Sequence, residues 1–299
     1  MTITALAPWF GGKRTLAPEI IAELGPHRVY WEPFCGSMAV LLAKPPASME
    51  TVNDLHGDLI NLARTIRHQR AGAQLYRRLR RTLLHQDIHA EAKANIGDTA
   101  HEVVTFDTGH VEHCDVQRAY DYFLLSWLGR NGMSGSASHN HTWCTRYTAN
   151  GGHGAKRFAA AVDSIPAWRE RMRQVTILRT DAFALLERIE DAPGTAIYCD
   201  PPYIVKGSKY VHDFGNGDHQ RLAELLRRFR HTRVVVSYYA HPLLAQLYPQ
   251  WTRREIEVSK ALAHQGARTA SDARATEVLL LNGPSLAAPA PAPAQGLFT

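Results

Sequence analysis

The sequence predicts an α/β fold: a mostly parallel sheet interleaved with helices and interrupted by a mostly helical insertion. Three observations predict it. Short β-prone runs alternate with helical runs near both ends of the chain. Acidic residues close several of those strands. The stretch between them breaks the rhythm with long helical segments and one Gly/Ser/Asn/His-rich loop.

The elements follow in order. "HRVYWEP" (27–33) is short, β-prone and ends at a proline, so it reads as a buried strand followed by a turn. "SMAVLLAK" (37–44) is apolar and helix-forming, with Ser37 placed to cap it. "TVNDLHGD" (51–58) reads as a second strand ending at Asn53 and Asp54, and "LINLARTIRHQR" as the helix after it. The alternation resumes with "QVTILRTD" (174–181) as strand, "AFALLERI" as helix and "TAIYCD" (195–200) as strand. "DHQRLAELLRRFR" (218–230) is an amphipathic helix, "RVVVSYY" (233–239) a strand and "HPLLAQLY" a short helix. "RREIEVSK" and "ATEVLLLN" complete a set of seven strands. Residues 1–63 and 171–283 are therefore expected to form one sheet domain. Residues 64–170, with helices at "QLYRRLRRTLL" (74–84) and "VQRAYDYFLLSWL" (116–128), are expected as a subdomain inserted into it. The Pro/Ala-rich tail, 284–299, is expected to be disordered.

Composition narrows the class. Among 299 residues, 45% are hydrophobic, which supports a sizeable core. Lys and Arg number 34 against 28 Asp and Glu, a net charge of +6 that favours an anionic partner, nucleic acid first. Solvated arginine on helix faces would give the same total. Cys35, Cys114, Cys144 and Cys199 form no CxxC pair and read as reduced thiols. No run of roughly 20 apolar residues and no signal-peptide pattern is present, so a soluble cytoplasmic protein without a membrane partner is expected.

Ligands of open α/β sheets bind at the carboxyl ends of the strands. Three strand ends here carry acids: Asp54, Asp181 and Asp200. The first strand ends in "EPFCGSM", which has Gly36 but no G-x-G-x-x-G, and no G-x-x-x-x-G-K-[ST] loop occurs. A ligand without a pyrophosphate to cradle is implied. "YCDPPY" (198–203) ends a strand in a turn that two prolines hold stiff. Asp200 and the Pro201 carbonyl form a paired acceptor for an NH2 group, Pro202 keeps the turn rigid, and the Tyr203 ring is suited to stack on a planar heterocycle. An exocyclic amine on an aromatic base fits that arrangement, flipped out of the stack where the base lies in a duplex.

With "PWFGGK" (8–13), "EPFCGSM" (32–38), "VNDLHGDLIN" (52–61) and "YCDPPY" in order, the chain resembles the DNA adenine methylases. These are N6-adenine DNA methyltransferases whose recognition domain is inserted mid-chain. "HQRLAELL" (219–226) also resembles the helix that follows DPPY in that family. The resemblance implies a Rossmann-like S-adenosylmethionine-dependent methyltransferase sheet carrying a target-recognition subdomain. It implies S-adenosyl-L-methionine as methyl donor and double-stranded DNA as substrate. By motif position it implies cofactor contacts at Trp9, Lys13, Phe34, Gly36, Asp54, Asp181 and Asp200. Lys13 is expected to meet the donor's carboxylate, Asp54 its ribose and Asp181 its adenine amine. Asp200, Pro201, Pro202 and Tyr203 are expected to hold the target adenine. Met38 departs from the small residue usual at its place. "GRNGMSG" (129–135) resembles phage-borne and restriction-associated relatives, which raises a cognate restriction endonuclease as a second partner.

Other readings stay open for several residues. Asp181 is equally placed to cap the helix that follows. Arg77, Arg78 and Arg81 suit phosphate contacts or a solvated helix face. Arg130, Asn131 and Ser134 suit base edges or a plain surface loop. His110, His113, Cys114, His139, His141 and Cys144 match no common zinc spacing, and no metal is expected. An RNA or cytosine-amine methyltransferase of the same fold is the alternative function, although cytosine-directed relatives usually carry Ser or Thr where Asp200 stands. A non-catalytic DNA-binding relative is the alternative of another class.

Overall fold

The computed structural model describes residues 2–9, 11–97, 114–129, 142–143, 154–204, 214–259 and 274–287. All seven expected strands form: β1 (Val29–Glu32), β2 (Met49–Asn53), β3 (Val175–Leu178), β4 (Thr195–Cys199), β5 (Arg233–Tyr239), β6 (Thr252–Ser259) and β7 (Arg274–Leu281). They make one sheet in the order β3-β2-β1-β4-β5-β7-β6. The first five are mutually parallel, and β7 runs antiparallel to both β5 and β6.

Side chains alternate across this sheet with a period of two. On β4, Ala196 and Tyr198 enter one core, while Ile197 and Cys199 enter the other. Val235 opposes Val234 and Val236 on β5, and Leu279 and Leu281 oppose Val278 and Leu280 on β7. Both faces are covered, which explains why β4 and β5 read as continuous apolar runs. One face carries α1 (Ala17–Leu24), α2 (Ala39–Ala43), α3 (Gly57–Arg67), α4 (Gln69–Arg81), α5 (Gln86–Ile96), α6 (Val116–Leu128) and α7 (Gly154–Met172). The other carries α8 (Ala182–Arg188), α9 (Asn216–Arg227) and α10 (Leu243–Leu247).

Helices α3 to α7 pack on one another around α6, which is buried from Ala119 to Leu128. A helix buried all round needs apolar residues on every face, and α6 supplies them. Helices α1, α5 and α7 were not among the expected elements. The expected helix from Leu59 to Arg70 is in fact two. His68 ends α3 with extended backbone, and its Nδ1 accepts the Ala71 amide at 3.2 Å to start α4.

The expected Ser37 cap is also corrected. The residue before α2 is Met38, at φ 59° in the left-handed region, and no side chain caps the helix. The Ser37 carbonyl instead accepts the Leu6 amide at 3.0 Å. At the tail, Ser285 Oγ and the Leu286 amide donate to Glu23 at 2.6 and 2.9 Å. Residues 288–299 lie outside the described residues. No helix among the described residues is long and apolar enough to cross a membrane.

Candidate active site

Strand order reverses between β1 and β4: β1 leads outward to β2 and β3, and β4 to β5. Where connections leave on opposite sides, a crevice opens at the carboxyl ends of the strands. A cleft lies there, lined by Trp9, Lys13, Glu32, Gly36, Tyr198 and Asp200 among others.

Its β1 side is built from backbone. Gly36 sits at φ 44°, and a Cβ there would stand 2.7 Å from Trp9 Nε1, so only glycine fits under the indole. Asp54 joins two strand ends. Its Oδ2 accepts the Gly36 amide at 2.8 Å and its Oδ1 the His56 amide at 2.9 Å. Trp9 packs edge-on against His56 at 5.3 Å.

Asn53 was not among the residues singled out from the sequence. Its buried amide donates to the carbonyls of Pro33 and Thr180 at 3.0 and 2.9 Å and accepts the Thr180 amide at 2.9 Å. It thereby fixes the loops after β1, β2 and β3 to one another.

The DPPY turn closes the β4 side. Asp200 is gripped from two directions: Lys13 Nζ stands 2.9 Å from Oδ2, and Ser237 Oγ donates to Oδ1 at 2.8 Å. Ser237 is itself bonded to the Tyr198 hydroxyl at 2.9 Å. Lys13 is 4% exposed and also donates to the Gly11 carbonyl at 2.6 Å. Burial works against its charge, but Asp200 and Glu277 outweigh that penalty and raise its pKa. Tyr203 is buried. Its ring lies beneath the Lys13 ammonium at 4.9 Å and edge-on to Tyr239 at 4.6 Å, and its hydroxyl donates to Glu277 at 3.4 Å. Glu32, which accepts from the Tyr30 hydroxyl at 2.9 Å, is pushed up to about 8 by burial, with Asp200 adding to the push.

Phe34 borders the same end of the sheet, edge-on to Phe214 at 5.9 Å, and Phe214 stacks on Phe183 at 5.7 Å. Phe183 and Phe214 were not singled out from the sequence. Asp181 is exposed and caps α8, its Oδ1 accepting the Ala184 amide at 2.9 Å. Arg77, Arg78 and Arg81 are exposed on α4. Arg78 also lies 3.7 Å over the Tyr120 ring and donates to Gln117 at 2.5 Å, so it is tied to α6. Arg130, Asn131 and Ser134 lie outside the described residues, as do the histidine and cysteine candidates for metal other than Cys114.

The family description "D12 class N6 adenine-specific DNA methyltransferase" matches residues 9–263. The chain belongs to this family. It is 27% identical over 286 residues to the retron Ec67 DNA adenine methylase of Escherichia coli, spanning 94% of this chain and 92% of that one. A solved structure of precorrin 8w decarboxylase from Methanobacterium thermoautotrophicum aligns over 90% of this chain and 89% of its own. At 10% identity and a TM-score of 0.36 that likeness bears on nothing functional. As a D12 class enzyme the protein is an adenine-specific DNA methyltransferase with DNA as its substrate, and its sheet is Rossmann-like.

Proposed function

We propose that the crevice at the ends of β1 and β4 binds S-adenosyl-L-methionine and that the DPPY turn presents a flipped adenine of double-stranded DNA to it. The observation that carries this reading is the grip on Asp200, held by Lys13 and Ser237 at the mouth of the crevice. The donor set supports the choice of cofactor. Asp54, Asp200 and Glu277 stand around the site against the Lys13 ammonium, a setting that suits a cationic ligand, while Glu32 in the lining carries less charge at neutral pH because burial pushes it up to about 8. S-adenosylmethionine is such a ligand, and when bound it supplies a methyl group on a positively charged sulfur.

Trp9 and Gly36 shape the pocket wall, and Asp54 is the acceptor for ribose hydroxyls. Lys13 has one donor position left beyond Asp200 and Gly11, enough to meet the donor's carboxylate. Phe34, with Phe214 and Phe183 behind it, forms an aromatic wall for a purine ring. Asp181 contributes through its second oxygen.

Asp200 and the Pro201 carbonyl accept the two hydrogens of the adenine N6 amine. That raises electron density on a nitrogen otherwise conjugated into its ring. As N6 takes the methyl group and the methyl–sulfur bond of the bound donor breaks, Asp200 would take the proton that N6 sheds. The two prolines keep these acceptors from relaxing away. The Tyr203 ring, expected to stack on the base, is buried beneath Lys13 and against Tyr239, so it supports the turn from below and leaves the half-buried Tyr239 as the ring beside the base. On α4, Arg77 and Arg81 serve as phosphate contacts, and Arg78 at the edge of α6 joins them. Arg130, Asn131 and Ser134 are assigned to base edges on the strength of residue type. A DNA substrate and restriction-associated resemblance support a cytoplasmic enzyme with a cognate endonuclease partner.

Expression in a methylation-deficient bacterium followed by single-molecule sequencing tests the reading. A consistent methyl-adenine motif is expected, with labelled methyl passing from S-adenosylmethionine to DNA in the presence of purified protein. Unmodified DNA from expressing cells, together with no transfer in the purified system, would refute it. Endonuclease activity at the mapped motif in extracts of the source would support the partner, and its absence would remove that partner.

A further inference from the structure

We propose that Glu277 is a positioning residue for methyl transfer: from β7 it holds both the Lys13 ammonium and the Tyr203 hydroxyl, and so fixes the two ends of the turn from Asp200 to Tyr203. The proposal rests on the reading of that turn as the adenine-binding element.

Topology brings Glu277 there. It lies early in β7, where a parallel strand would put it at the far edge of the sheet. Because β7 is antiparallel, Glu277 pairs instead with Tyr239, at the carboxyl end of β5. The antiparallel β7 thus delivers a carboxylate to the edge where the crevice opens.

The surroundings show what that carboxylate does. Glu277 is 4% exposed and precedes the buried apolar run from Val278 to Leu281. Burying an acid in such a strand is costly unless it has charged and hydrogen-bonding partners. Its Oε2 accepts from the Tyr203 hydroxyl at 3.4 Å, and its Oε1 stands 3.9 Å from Lys13 Nζ. A neutral acceptor would serve Tyr203 as well, so the charge is explained by Lys13. Lys13 in turn lies 2.9 Å from Asp200. With Glu277 ionised, the ammonium is shared between two acids, and Asp200 keeps acceptor capacity for the amine. With Glu277 neutral, Asp200 becomes the only anion of the pair that holds Lys13.

The group is also poised to titrate. Burial pushes Glu277 up to about 7, Asp200 adding to the rise and Lys13 opposing it. The ionisable groups that face it are Lys13, Asp200, Tyr203 from the turn, Tyr239 from β5 and Tyr198 from β4. Transfer should therefore speed up as pH rises through neutrality and Glu277 loses its proton.

The test is single-turnover transfer of labelled methyl onto plasmid DNA from a methylation-deficient host, followed across about pH 6 to 9. Donor affinity is measured alongside by calorimetry. In Glu277→Gln the rate at the alkaline end should fall on the order of ten- to a hundred-fold, as misplacement near the chemistry does. Donor affinity should fall less than the transfer rate does, since Glu277 reaches the donor only through Lys13, and the step near neutral pH should vanish. Glu277→Asp should recover part of the rate and restore a pH step. A Gln variant at the wild-type rate with its step intact overturns the proposal. So does a wild-type profile that is flat through neutral pH, a result that needs no variant to fold. A methylating Asp200→Ala protein would overturn the underlying reading of the turn. A fully active Glu277→Gln beside an inactive Asp200→Ala would overturn this inference alone.

Discussion

Lys13 and Asp200 meet at 2.9 Å, the first from the loop before α1 and the second from the end of β4. Nearly two hundred residues of sequence separate a cation and an anion that neither strand nor helix could bring together alone. Removing either side leaves the other charge poorly solvated. Lys13→Met should destabilise the fold by about 3 kcal/mol, as the breaking of buried pairs does. Asp200→Ala should abolish transfer while the protein still folds, with a lowered melting temperature. Thermal unfolding and transfer of labelled methyl to DNA check both. Near-normal turnover by Asp200→Ala would sink the assigned role.

Gly36 admits no substitute. A methyl group there meets the Trp9 ring nitrogen at 2.7 Å and inherits a φ of 44°. Gly36→Ala should cost roughly 1–3 kcal/mol of stability through strain and displaced packing. It should also weaken donor binding more than DNA binding, since the indole it displaces lines the crevice. Calorimetric titration with S-adenosylmethionine and a DNA-binding assay separate the two; equal losses would contradict the placement.

Met38 holds a left-handed backbone at a site where glycine would be unstrained, yet its side chain is fully buried. Relief of the strain is worth ~1–2 kcal/mol. Loss of a buried Met side chain costs ~2–5 kcal/mol. The cavity outweighs the strain, so Met38→Gly should be less stable by about 2 kcal/mol. A urea midpoint that rises in the variant would show that the backbone dominates instead.

His219 is buried against Tyr238, with its ring nitrogen 3.0 Å from the tyrosine hydroxyl. Burial pulls its pKa down to about 4, Asp218 partly opposing and His241 assisting. The unfolded chain, with an ordinary histidine value of about 6.5, binds the proton first. Stability from this residue is therefore complete above about pH 6.5 and is lost as pH falls towards 4. Denaturant unfolding of wild type and His219→Gln between those limits checks it. An unchanged slope in the variant would assign the acid sensitivity elsewhere.

The strands were legible because both faces of the sheet are covered, so each central strand is a run of apolar residues between turn formers. "RVVVSYY" and "TAIYC" could be read this way without any contact being known. The same rule explains the misses. Helix α1 has a proline at its first turn but no polar cap, and α7 contains Pro166, so local signals spoke against both. His68 divides α3 from α4 by capping through a ring nitrogen, a role that residue preferences do not advertise. Ser37 had the right chemistry for a cap, but the tight turn at Gly36 and Met38 moved the helix start past it.

Within the site, Asp54, Asp200, Lys13, Trp9 and Gly36 could be named from motifs because each lies in one of the four short blocks: Trp9 and Lys13 ahead of α1, and Gly36, Asp54 and Asp200 just past strand ends. Glu277, Ser237 and Asn53 could not. Each is a polar residue inside or closing an apolar strand, a signal that marks it as unusual without saying what it faces.

Residue patterns alone were enough for the strands, the order of the chemistry-bearing turns and, through four motif blocks, the resemblance to the family. Those properties are local: a period of two, a pair of prolines, an acid at a strand end. The tertiary structure alone decided which charges share a pocket. The reversal at β1 and β4 opened the crevice, and the antiparallel β7 turned Glu277 towards it. Strand direction and neighbour are set by how whole faces pack, and no short stretch of residues records that.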